Sequence, residues 1–148
     1  MIKINFKFSD FLEDILSQMR YIAGKRAASQ DEFFKYTACK ADMAFLRKLY
    51  EEAMAWAALK LSTFQLTHTL EADICTINLN ISSDSFLKDE LTVLMQSLLQ
   101  RRILLQWFRL TGFNPGYDLS AEIESDIEMI LQKLVIRTPL KPRPYPYM

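Results

Sequence analysis

Apolar residues recur at helical spacing most densely between Asp84 and Leu110: Phe86, Leu87, Leu91, Leu94, Met95, Leu98, Leu99, Ile103, Leu104, Leu105, Trp107 and Phe108. Lys88, Thr92, Gln96 and Gln100 leave only a narrow polar stripe, so the pattern predicts a helix that must be covered on most sides. Ser83 or Asp84 is placed to cap its start and Gly112 to stop it. Asp89 and Glu90 complement the positive end of its dipole, and Arg101, Arg102 and Arg109 the negative end. This is the expected central helix.

Ahead of it, Ile2, Ile4, Phe6 and Phe8 alternate with Lys3, Asn5 and Lys7, the period of a short strand with one buried face. Ser9 and Asp10 then offer helix caps, with Glu13 at capping-box spacing from Asp10. The stripe Phe11, Leu12, Ile15, Leu16, Met19, Ile22 and Ala23 predicts a first helix ending near Gly24 to Arg26. Ser29 and Glu32 repeat the capping-box spacing, and Phe33, Phe34 and Tyr36 ask for burial; a loop with one helical turn is expected there. A long second helix from about Ala41 to Phe64 presents Phe45, Leu46, Leu49, Tyr50, Ala53, Trp56, Ala57, Leu61 and Phe64, its alanines permitting close approach. Ile77, Leu79 and Ile81 signal a second strand, whose simplest partner is Ile2 to Phe8, within the subunit or across to a neighbour.

Beyond the central helix, Asn114, Pro115 and Gly116 form a turn and Ser120 is placed to cap a fourth helix with the face Ile123, Ile127, Ile130, Leu131 and Leu134. The fold class that follows is mainly α: a four-helix domain over residues 1–137 with a minor two-stranded element. Trp56, Trp107 and Phe108 are the expected core anchors. Residues 138–148 hold four of the five prolines and predict an extended arm: Pro139, Leu140, Lys141, Pro142 and Arg143, then Pro144, Tyr145, Pro146 and Tyr147. Preset proline dihedrals lower the ordering cost of docking such an arm on a partner, with its tyrosines as anchors. Pro139 and Pro142 make a PxxP, but Arg137 and Pro144 misplace the base that an SH3 ligand needs.

Lysine plus arginine and aspartate plus glutamate each total 18 in 148 residues, so the net charge is zero and no whole-molecule attraction to nucleic acid or membrane is expected. Charges inside the central helix exclude it as a bilayer span, and MIKINFKF lacks the apolar core of a signal peptide. Cys39 and Cys75 belong to no metal pattern and read as reduced structural thiols. The single histidine, His68, excludes paired-histidine metal sites and reads as a surface or helix-end residue. Glu51, Glu52, Glu124 and Glu128 read as solvated helix faces, and three glycines make no phosphate loop. Arg101, Arg102 and Arg109 read as dipole compensation and as partners for Asp118, Glu122 and Asp126, ahead of a phosphate-binding patch. No catalytic, metal or cofactor residues are expected.

The order of these segments resembles the small helical connector and neck proteins of tailed bacteriophages. It is carried by SDFLEDILSQMRYIAG, ADMAFLRKLYEEAMAWAAL, and INLNI leading into SSDSFLKDELTVLMQSLLQRRILLQWF, followed by an amphipathic helix and a basic extended tail. The resemblance implies a non-enzymatic virion structural protein assembled in the host cytoplasm. It would form a ring between portal and tail, with DNA passing unspecifically through the channel, and residues 138–148 would be an arm reaching onto the portal, a tail protein or an adjacent subunit. The alternative is a cytoplasmic helical adaptor binding a partner through the proline-rich tail. An enzyme using Glu51, Glu52 or His68 would require those side chains in a buried polar cluster.

Overall fold

The computed structural model describes residues 1–81 and 85–137. In chain order these form β1 (Ile2–Lys7), α1 (Phe8–Arg26), α2 (Gln30–Tyr36), α3 (Met43–Lys60), β2 (Thr67–Glu71), β3 (Ile74–Leu79), α4 (Ser85–Thr111) and α5 (Leu119–Arg137), with short 3-10 turns at Lys40–Asp42 and Ser62–Phe64. The fold is mainly helical, but with five helices and three strands where the apolar pattern predicts four and two. None of these helices is long and apolar enough to cross a membrane.

Each added element has a local cause. Ser29 Oγ accepts the Glu32 N–H at 3.2 Å and Glu32 Oε2 accepts the Ala28 N–H at 2.7 Å, so the capping-box spacing nucleates the two-turn helix α2 rather than a single turn. Strand β2 carries little alternation because His68 stands between Leu66 and Leu70 on one face. Helix α3 stops at Lys60, short of Phe64, and the chain turns through Gln65 at φ 51° into β2.

The sheet runs in the order β1-β3-β2, antiparallel throughout. Ile2 faces Leu79, Ile4 faces Ile77 and Phe6 faces Cys75, so the two strands visible in the sequence do pair within one subunit. Strand β1 passes straight into α1, and neither Ser9 nor Asp10 acts as the cap. The Phe8 N–H donates to the Asp73 carbonyl at 2.8 Å, and the Ser9 N–H and hydroxyl donate to the Asp73 carboxylate at 3.0 and 2.5 Å. The turn between β2 and β3 therefore caps α1 from a distance, which leaves Phe8 and Phe11 in phase with Ile15, Met19 and Ala23 as one buried stripe.

Helix α4 packs against α1, α2, α3, α5 and β1, and Leu87, Leu91, Met95, Leu98, Leu99 and Ile103 are fully buried. Gln100, placed by its residue type in the polar stripe, is buried too, its Oε1 accepting from Gln18 Nε2 of α1 at 3.0 Å. Capping by Ser83 or Asp84 lies outside the described residues. At the other end Gly112 takes φ +74°, the Phe113 N–H donates to the Phe108 carbonyl at 3.0 Å, and the two phenylalanine rings meet at 4.9 Å. This is a left-handed helix stop sealed by its apolar contact. The cap of α5 is Asp118, whose Oδ1 accepts the Ala121 N–H at 3.1 Å; Ser120 instead receives Arg109 at 3.4 Å.

The antiparallel α4–α5 pair is joined by charge. Arg101 Nη1 lies 2.7 and 2.6 Å from the two oxygens of Asp126, which is 6% exposed, and Arg101 Nε lies 3.5 Å from Glu122. Burial pulls the Arg101 guanidinium down, but its bond to Asp126 and the nearby charges of Asp126, Glu122 and Tyr117 together hold it above its ordinary value. Lys133 Nζ reaches Glu90 at 2.9 Å near the far end of the pair.

Replacing Arg101 by methionine strands the Asp126 carboxylate and should cost about 2 kcal/mol in urea denaturation. Adding Asp126→Leu should recover most of that loss, and fully additive losses would show that the pair does not couple. Ala72 also sits at positive φ, 54°, in the β2–β3 turn. Ala72→Gly should therefore raise stability by about 1 kcal/mol and Gly112→Ala should lower it by a similar amount. Unchanged unfolding midpoints would contradict both turn geometries.

Candidate partner-docking surfaces

The expected arm, Pro139 to Tyr147, lies outside the described residues. The three aromatic anchors separate. Phe108 is buried, and Trp107 is buried with its Nε1–H donating to the Tyr36 carbonyl at 2.9 Å. Trp56 is only half-buried: it sits at the rim of the face formed by Ala53, Met54 and Ala57, where the Arg102 guanidinium covers its ring at 4.7 Å. Burial and the neighbouring Arg109 charge hold Arg102 below its ordinary value. The arginine group thus divides, with Arg101 and Arg109 meeting α5 and Arg102 lying on an indole.

Two strand edges are open among the described residues, because β1 and β2 each pair with β3 alone. The edge of β1 carries the exposed Lys3 and Lys7, charges that discourage further pairing. Strand β2, reading THTLE, has neither lysine nor proline and no fully buried residue. His68 is therefore a surface residue as expected, but on this edge strand and not at a helix end.

A second surface forms where the end of α1, α2 and the α4–α5 loop converge. One groove of about 560 Å³ is lined by Tyr21, Ile22, Lys25, Arg26, Pro115 and Tyr117, and another of about 600 Å³ by Arg20, Phe33, Phe34, Lys35 and Trp107 among others. Tyr21 and Phe34 are 65% and 63% exposed, and Lys25 Nζ lies over the Tyr21 ring at 4.3 Å. Arg26 lies across Gly116, where φ is +84° and a side chain at residue 116 would collide with the guanidinium, and its Nε donates to the Asn114 carbonyl at 3.5 Å. Cations beside aromatic faces suit acidic or aromatic segments of a partner. The first half of α1 is the opposite, with Asp10, Glu13 and Asp14 all exposed. The basic residues come from the end of α1, while α2 adds Lys35 together with the acidic Asp31 and Glu32, and Asp42 lines the second groove; the charge switch within α1 is the signal the sequence carries.

The chemistry expected of an enzyme is not assembled from the residues named for it. Glu51, Glu52 and His68 are each exposed, and Glu51 pairs with Arg47 at 4.0 Å. No group of three metal-ligating side chains occurs among the described residues. One buried polar pair does exist: the Tyr50 hydroxyl lies beside the Cys75 thiol without a well-formed hydrogen bond, its ring packed on Phe8 and Phe11 at 5.0 and 5.6 Å. Burial raises both groups. No protein family, curated protein or solved structure matches the chain.

Tyr50→Phe removes an unsatisfied hydroxyl and should leave stability at pH 7 unchanged or higher, whereas a loss above about 1 kcal/mol would mean that the hydroxyl is bonded after all. Because both pKa values are raised, the folded state keeps protons that the unfolded state releases. Stability is fully present below the unfolded thiol value of about 8.5 and falls as pH rises above it. Cys75→Ala should flatten that alkaline slope in denaturation midpoints between pH 7 and pH 10.

Proposed function

We propose that this chain is a non-enzymatic virion structural protein of a tailed phage, a ring-forming subunit of the head-to-tail connector or neck that docks on portal or tail proteins. The observation that carries this reading is polarity. The molecule bears an acidic patch at Asp10, Glu13 and Asp14 and a basic, aromatic end at Arg20, Tyr21, Lys25 and Phe34, the two different patches that a head-to-tail interface needs. An isologous dimer would instead favour one self-complementary patch. Zero net charge suits a channel through which DNA slides without being gripped. The arm from Pro139 to Tyr147 would extend each subunit onto its neighbour or onto the portal.

Native mass spectrometry of the chain, alone and with a portal protein, should give a closed ring of defined copy number that loosens as salt rises. Arg20→Glu with Lys25→Glu should dissociate it, and mixing that variant with an Asp10→Lys, Glu13→Lys variant should restore assembly. A chain that stays monomeric with the portal supplied overturns the proposal. Partner binding by a monomer, lost on deleting residues 138–148, would point instead to the adaptor reading.

A further inference from the structure

We infer that the proline-rich arm of one copy adds to the free edge of β2 in another as an antiparallel fourth strand, an inference that rests on the assembly proposed above and names one of its contacts. Glu71 pairs with Ile74 across the two-residue turn Ala72–Asp73. Such a closing pair is hydrogen-bonded, so Thr67, Thr69 and Glu71 direct their backbone groups to β3. His68 and Leu70 then direct theirs to the open edge.

The arm has the complementary design. Prolines stand at 142, 144 and 146, every second position, and backbone groups of a strand alternate in direction with the same period. All three missing N–H donors therefore fall on one edge, while Arg143, Tyr145 and Tyr147 keep theirs on the other. Such a segment pairs on one side and blocks further addition on the other, the position in which sheets tolerate proline. Of the two open edges, β1 is guarded by Lys3 and Lys7 and β2 is not.

Orientation favours a neighbour's arm over the subunit's own. In an antiparallel pair the residues that exchange hydrogen bonds lie directly opposite, with side chains on one face. Tyr145 and Tyr147 would then share the face of His68 and Leu70, which by register is the side carrying the buried Ile77 and Cys75. They would cover the half-buried Leu70. The bond from Lys133 to Glu90 places the end of α5 beside the start of α4, which follows the end of β3 paired with Thr67. A subunit's own arm would therefore arrive at the Thr67 end and run parallel to β2. To run antiparallel with Tyr145 opposite Leu70 it would have to pass the strand and double back within residues 138–144, whereas a neighbour's arm can enter from the Glu71 end.

In full-length chains with Cys39→Ser and Cys75→Ala, the latter because Cys75 stands directly opposite Leu70, molecules carrying only Leu70→Cys are mixed with molecules carrying only Tyr145→Cys and oxidised. A disulfide-linked heterodimer is expected, at least tenfold more than when Pro144→Cys replaces Tyr145→Cys, because residue 144 faces the other way. Tyr145→Pro should remove the assembly seen by native mass spectrometry, while Leu140→Pro, on the outward parity, should leave it. Cross-linking only within a chain carrying both cysteines overturns the inference, as does an assembly that survives Tyr145→Pro with no heterodimer; in either case the ring reading stands. A wild-type chain that is monomeric throughout overturns both.

Discussion

Helix α4 has an apolar surface too wide for any single neighbour to cover, and the rest of the fold follows from enclosing it. Helices α1, α2, α3 and α5 and strand β1 all pack on it. Burying a large aliphatic side chain contributes roughly 1.5–3 kcal/mol, so the row from Leu87 to Phe108 outweighs any single surface pair. Three polar groups on or against α4 are answered: Gln100 by Gln18, Asp126 by Arg101, and the Trp107 indole by the Tyr36 carbonyl. The sheet is an attachment to this helical body. It is tied in by β1 and by Asp73, which caps α1 from the hairpin turn.

Because α4 lies in the core, the surface is made largely by the elements around it. What remains outside is unevenly distributed: acid along the first half of α1, base and aromatic rings at its end, a lysine-guarded strand edge and an unguarded one. Those asymmetries support a subunit that meets unlike surfaces of its neighbours. Glu51, Glu52 and His68 are each exposed and form no buried polar cluster.

The central helix, the Gly112 stop, the pairing of β1 with β3 and the Arg101 contact with α5 were legible because each rests on periodicity or on charge close in sequence. Strand β2 was not, since His68 interrupts its apolar face; nor was the cap of α1, which comes from Asp73, 64 residues away. Trp56, placed by its spacing on the apolar face of the second helix, packs against the core at the edge of α3's buried stripe and is half-buried under Arg102. The two grooves at the basic, aromatic end were not legible, because α1, α2 and the α4–α5 loop meet only on folding. Charge polarity within α1 could have been read directly.

Native-state hydrogen exchange of the full chain tests the central claim most directly. If α4 is the scaffold, amides from Leu91 to Phe108 exchange only through global unfolding, with the same denaturant dependence as the whole domain, while those of β2 and α2 open at lower free energy. Exchange of the α4 amides through a sub-global opening, with the sheet still protected, would contradict the account.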